Sequence, residues 1–276
     1  MHMHLISHRI DRDLARTEPP TLVFRAVLHG SAHVQWRHRK VRLDEDGWLV
    51  LDGREPCAWR ADPETGAEAV EIGVPAEICA AAALAAQTPA RPGLVFADHL
   101  RSTGDPAGRR LLEIARAQKT HRWPSPQRGA LVELVSAAVA EEAELRRRAA
   151  RIPCVKSETR ESLLRRILLA ADFIASHHDE PISLAEIARA SSLSRFHFVR
   201  VFSHVHGETP HAFLLRKRTA VARRHLAVGS ACCDAASRAG FGSRSALFRN
   251  LRKLSGTAVG TGVAPAATAE SCFLSA

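Results

Sequence analysis

The stretch from Ser183 to Gly256, SLAEIARASSLSRFHFVRVFSHVHGETPHAFLLRKRTAVARRHLAVGSACCDAASRAGFGSRSALFRNLRKLSG, constrains this chain more than any other. Ser183 and Glu186 form an S-x-x-E capping box, which satisfies two orphan backbone donors at a helix start. The spacing predicts a short helix with Leu184, Ile187 and Ala188 facing inward. A turn at Ser191-Ser192-Leu193 follows, with Leu193 as its buried plug. Ser194 is placed to cap the next helix, RFHFVRVFSHV. Phe198, Val201 and Phe202 recur at helical spacing and should be buried, so Arg195, Phe196, Val199 and Arg200 project the other way. Gly207 ends that helix, and Thr209-Pro210 opens a longer one reaching about Ala227, roughly 26 Å at 1.5 Å per residue. Its inward set is Phe213, Leu214, Ala220 and Leu226. Arg216, Lys217, Arg218, Arg223 and Arg224 lie along it with no acid among them.

The pattern then repeats about fifty residues after its first occurrence. Cys232, Ala235 and Ala236 line a short helix, Ala239-Gly240-Phe241 makes the turn, and Ser243 caps RSALFRNLRKL. Leu247, Leu251 and Leu254 face in, while Arg244, Ser245 and Arg249 face out. A helix buried on one side and carrying arginine on the other has the shape that enters a major groove. Two such helices on one rod can reach successive grooves of a modestly bent duplex, whose turn is about 34 Å. The small core residues of the second unit make it the leaner of the two.

Charge supports the same reading. The chain carries a net +10 over 276 residues. Residues 160–256 hold 16 Lys/Arg against 7 Asp/Glu, whereas the rest holds 23 against 22. Nearly all the excess sits with the paired helices, which points to a polyanionic partner for that part. Six cysteines, with no CxxC pair, suggest neither a zinc site nor a disulfide framework. No apolar run is long enough to cross a bilayer and the start lacks a signal-peptide core, so a cytoplasmic protein that does not engage membranes is expected.

Upstream, residues 21–60 predict short strands. Thr21–Leu28 is followed by Gly30 as a break, Val34, Trp36, Val41 and Leu43 alternate with polar positions, and Asp44-Glu45-Asp46-Gly47 is a turn before Trp48–Leu51. A further strand is expected over 69–74, giving a small antiparallel sandwich or barrel. His29, His33 and His38 fall in this region but do not share a strand face, and no HxH pair is present there, so no metal site, cofactor or catalytic residue is assigned. The HMH at residues 2–4 sits at a terminus expected to fray.

Helices are predicted over 78–87, 106–119, 126–151 and 159–178. Ser125 and Pro126 are placed to start the third. Its stripe Leu131, Leu134, Val135, Ala138 and Val139 fits either dimerisation or packing onto its own domain. Ile152-Pro153-Cys154-Val155 resembles the strip around the nucleophile of DNA alkyl-transferases, where a neighbouring histidine activates the thiolate. Val155 stands in that histidine's place, so the activating group is missing.

Residues 160–256 resemble the DNA-binding domain of AraC-family transcriptional regulators. The residues that carry the resemblance are SLAEIARASSLSRFHFVRVF, the GETPHAFLLRKR join, ARRHL and AGFGSRSALFRNLRK. The strands resemble, more loosely, the cupin-like sensory domains of such regulators, on the strand pattern and the segment DEDGWLVL. The resemblance implies an α+β chain: a cupin-like β-barrel with helices over 1–155 and an all-α double helix-turn-helix domain over 156–257; the tail over 258–276, rich in Ala, Thr and Gly, is expected to be disordered. It implies DNA contacts at Ser194, Arg195, Phe196, Val199 and Arg200, and at Ser243, Arg244, Ser245, Ala246 and Arg249. Its partners would be double-stranded operator DNA and, as candidates, RNA polymerase, a small-molecule effector and a second copy of the chain. The competing class is an enzyme, a cupin-type metalloenzyme or alkyl-transferase fused to a DNA-binding domain. The chain departs from the family where Ser255 replaces a bulky apolar residue and Ala258-Val259 a Ser-Pro pair, and it has no tyrosine at all.

Overall fold

A computed structural model describes residues 3–8, 21–85, 96–120, 127–153 and 157–257. Cys154, Ser125, Pro126 and the tail after 257 lie outside them. Six strands open the chain: β1 (Met3–His8), β2 (Leu22–Trp36), β3 (Arg39–Asp44), β4 (Gly47–Asp52), β5 (Cys57–Ala61) and β6 (Ala67–Val74). Helix α1 (Ala76–Ala85), the short β7 (Arg101–Ser102), α2 (Pro106–Thr120) and α3 (Arg128–Ala150) complete the first half. The strands make one curled seven-stranded sheet in the order β1-β6-β2-β4-β7, with β3 and β5 also paired to β2. Pairing is antiparallel except between β1 and β6.

Gly30 does not end a strand. β2 runs through it for 15 residues, with an irregularity between Val27 and His29. Gly30 has φ +79°, and a Cβ there would sit 2.3 Å from the Gly66 carbonyl oxygen. This left-handed bend, open to glycine at little cost, lets residues 22–30 pair with β4 and β6 while 31–36 turn away to pair with β3 and β5. The curl gives the sheet two cores from alternate residues. Phe24, Trp48, Val50 and Ile72 pack on α1–α3, and Val34, Trp36, Leu43 and Leu49 fill the inside of the curl. His29 and His33 lie on β2 and His38 in the β2–β3 turn, and the described residues hold no group of three His, Cys, Asp or Glu arranged for a metal ion.

Helix α3 begins at Arg128 with Gln127 at its cap, later than Ser125 and Pro126 suggested. Its apolar stripe is buried against α1 and α2, so it packs onto its own domain.

The second half is all helical: α4 (Ser157–Ser176), α5 (Leu184–Ala190), α6 (Arg195–His206), α7 (Pro210–Ala227), α8 (Cys232–Arg238) and α9 (Arg244–Thr257). One core joins α4, α5, α6 and the start of α7 through Leu164, Ile167, Ile174, Phe198, Phe202 and Leu214. The far end of α3 contributes Ala149, so this core reaches across the sequence boundary near 155. A smaller core joins α7, α8 and α9: Val221, Ala222, Ala236, Ala239, Phe241 and Leu247. No described helix is long and apolar enough to cross a membrane.

Candidate nucleic-acid interface

The two expected helix-turn-helix units are α5–α6 and α8–α9, joined by α7, which at 18 residues is about 27 Å long. The Ser183–Glu186 capping box is present, with the Glu186 amide donating to Ser183 Oγ at 3.2 Å. Both turns place one residue at positive φ, Ser192 at +52° and Gly240 at +76°. Serine tolerates that geometry less well than glycine; here the Ser192 amide donates to the Arg189 carbonyl at 2.8 Å. Two sequence expectations need correction. Leu184 is 42% exposed rather than inward. The buried residue of the first turn is Ser191, whose hydroxyl donates to the Ala188 carbonyl at 2.8 Å, while Leu193 is half-buried.

Each outward helix opens on a serine cap. Ser194 Oγ accepts from the His197 amide at 3.4 Å, and Ser243 Oγ from the Ala246 amide at 3.2 Å. Phe198, Val201 and Phe202 are buried, as the spacing required. Arg195, Phe196 and Arg200 are exposed on α6, and Arg244, Ser245 and Arg249 on α9. Phe196 is 81% exposed. Val199 and Ala246 are only half-exposed, because each packs against its own unit's core. Among the described residues, Arg195, Arg200, Arg244 and Arg249 make no ion pair.

Four of the five Lys/Arg residues of α7 are engaged, and the fifth, Arg223, is exposed. Arg216 pairs with Glu208 at 2.8 Å and lies over the Phe213 ring. Arg218 donates to the carbonyls of His178 and Glu180, both at 2.6 Å. Lys217 pairs with Asp44 at 2.7 Å, and Arg224 with Glu45 at 3.2 Å and with Asp46. Sequence reasoning took Asp44-Glu45-Asp46 only as a turn. Its signal was charge complementarity: three consecutive acids upstream and an acid-free run of cations on a helix.

A cavity of about 790 Å³ opens between the sheet domain and the helical domain, lined among others by Asp46, Arg101, Glu141, Ala171, His206 and Lys217. The Asp172 carboxyl near its wall accepts the Leu100 amide at 2.8 Å and pairs with Arg39. Burial pushes it up to about 7 against the pull of Arg39. The His206 ring lies tilted against Phe202, with centroids 4.3 Å apart. Burial, then Arg216 and Arg148, lower its imidazole to about 3.

A histidine held neutral in this way stabilises the fold above its unfolded pKa of about 6.5 and loses that contribution as pH falls. Going from pH 7 to pH 5 should therefore cost about 2 kcal/mol at most through His206. Urea unfolding at both pH values tests this: His206→Phe should shrink the difference, and an unchanged difference would clear His206 of the role.

Residues 187–261 match the model of a family described as a helix-turn-helix domain. The match covers 75 of the 276 residues. The probable transcriptional regulator LumQ of Photobacterium leiognathi is 31% identical over 91 residues, which are 33% of this chain and 37% of that protein. The match thus spans little more than a third of the relative. Among solved structures, ToxT from Vibrio cholerae O395 is 9% identical over 85% of both chains with a TM-score of 0.33. Fatty acid-bound ToxT from Vibrio cholerae strain SCE256 is 10% identical over 90% of both, with a TM-score of 0.31. The matched residues take in α6, α7, α8 and α9 and the greater part of α5, and so both exposed arginine faces.

Proposed function

We propose that this chain is a cytoplasmic, sequence-specific transcriptional regulator that reads two successive major grooves with α6 and α9 and is controlled through its N-terminal domain. The observation that carries the reading is the state of four arginines. Arg195 and Arg200 on α6, and Arg244 and Arg249 on α9, are exposed and without ion pairs among the described residues, whereas Arg216, Lys217, Arg218 and Arg224 of the helix between them are all engaged. Free guanidinium groups on capped helices can bond guanine edges bidentately or neutralise phosphates. Ser194, Phe196, Val199, Ser243, Ser245 and Ala246 complete the two proposed contact faces. The cavity between the domains is of a size that holds a small molecule, which supports an effector there.

Selection of bound duplexes from a random pool, followed by footprinting, tests the reading. The expected result is one bipartite motif with two protected segments on the same face. Specific affinity should fall with salt at a slope near −0.9 per neutralised phosphate. Equal affinity for all duplexes would overturn the reading in favour of a non-specific nucleic-acid binder.

A further inference from the structure

Beside the Leu100–Asp172 bond and the packing of the end of α3 on α4 and α6, one short stretch of the N-terminal domain, residues 39–46, carries a cluster of ion pairs to the DNA-reading domain. From β3, Arg39 pairs with Asp172 and Arg42 with Asp179 at 2.6 Å, and the Arg42 amide donates to Ser176 Oγ at 3.1 Å. From the following turn, Asp44 lies 2.7 Å and Asp46 3.6 Å from Lys217, and Glu45 lies 3.2 Å from Arg224, which also pairs with Asp46. Asp172, Ser176 and Asp179 are on or just after α4, whose apolar face shares the first unit's core with Phe198 and Phe202. Lys217 and Arg224 flank Val221 and Ala222, the α7 residues of the second unit's core. One stretch of the sheet domain is thus fastened to the scaffolds of both units at once.

These are not ordinary surface pairs. The side chains of Lys217 and Asp44 are 12% and 13% exposed, so salt screens them less than an open pair. Burial works against the Asp44 carboxylate, yet Lys217 foremost holds it well below the usual carboxylate range. The turn is tied to its own sheet as well, the Gly30 amide donating to Glu45 at 3.0 Å. None of these bonds reaches the outward arginines of α6 or α9. The grip leaves both reading faces open and acts on the rod between them.

We propose that Asp44, Glu45 and Asp46 are positioning residues: by holding α7 against α4 they fix how α6 and α9 are disposed, and so set the half-site spacing the protein accepts. The spacing statement rests on the DNA-reading function proposed above; the statement about helix disposition does not. Two measurements on the full chain separate them. In the first, spin labels at the exposed positions His204 on α6 and Arg238 on α8 report the distance between the units. That distribution is narrow in the parent and broadens in the D44N/E45Q/D46N variant, whose amides keep size and shape. In the second, duplexes carrying the selected half-sites are separated by the preferred spacing or by one or two base pairs more or less. The parent loses about tenfold in affinity per displaced base pair, because half-sites are phased by the helical repeat, and the variant's profile flattens while single half-sites bind both proteins alike. The D44K/K217D exchange restores one pair with reversed sign and sharpens the profile again. K217Q/R224Q cuts the same bonds from the α7 side, so the conclusion does not hang on one variant's folding. An unchanged distance distribution overturns the proposal. Tighter binding at unchanged spacing overturns it too, since the turn would then be an inhibitor. A broadened distribution with no specific duplex bound supports the positioning of the helices and sinks the DNA-reading function instead.

Discussion

The Arg200→Ala/Arg249→Ala double variant is expected to lose its preference for the selected operator while keeping most of its affinity for random duplex. Each arginine bonded bidentately to a base is worth about 1–3 kcal/mol of discrimination. The two sit on separate helices with separate cores, so their effects should add, to about 2–6 kcal/mol. That corresponds to a fall of about 30-fold to about 10⁴-fold in the specific-to-random ratio. Both side chains are exposed and form no ion pair among the described residues, so melting should move little. Fluorescence titration against operator and random duplex at two salt concentrations decides the matter. If an arginine meets phosphate rather than base, its removal lowers affinity for both duplexes alike and reduces the salt slope by about 1. Intact operator preference in the double variant would mean that the reading faces have been misassigned.

The parts of this fold that were legible in the sequence are those fixed by local chemistry. Ser183, Ser194, Thr209 and Ser243 each announce a helix start, and in the structure each side chain accepts an amide of its own first turn. The i, i+3, i+4 set Phe198, Val201 and Phe202 faces the core because one short helix has one apolar side to bury. What was not legible depended on distant partners. The Lys217–Asp44 pair joins residues 173 apart. No spacing rule connects them, so the sequence shows a basic rod but not that much of its charge is held within the chain. Gly30 was misread for a related reason. A glycine between apolar runs signals a break when considered locally, but the long β2 pairs with four other strands, and the glycine serves to bend it. Spacing points Leu184 inward and hydrophobicity makes Leu193 the plug of the turn, whereas in the structure Ser191 fills the buried place because its hydroxyl finds the Ala188 carbonyl.

Phe202→Ala and Phe241→Ala should part company in a way that reveals how unequal the two units are. Phe202 is fully buried, with Phe198 and Phe213 rings 5.3 and 5.5 Å from its own, in the core that also holds α4 and the end of α3. Truncating it costs about 3–5 kcal/mol, a large share of a domain's whole stability, and should loosen α4, α5 and α6 together with their contact to the sheet domain. Phe241 sits among Ala222, Ala236 and Ala239, in a core with few large side chains. The helix before it, α8, has Ala231 at its N-cap, which offers no side-chain cap. Losing Phe241 should therefore open α8 and α9 while α4–α6 keep their protection. Hydrogen exchange followed peptide by peptide distinguishes the two, and even in the parent protein α8–α9 should exchange faster than α5–α6. Equal protection of the two units would show that the alanine-lined core is packed as tightly as the phenylalanine-lined one. If the second unit is indeed the softer, its grip on a half-site has to include the cost of ordering it. Affinity there then leans on the charge of Arg244 and Arg249, which salt screens, more than on a preformed fit.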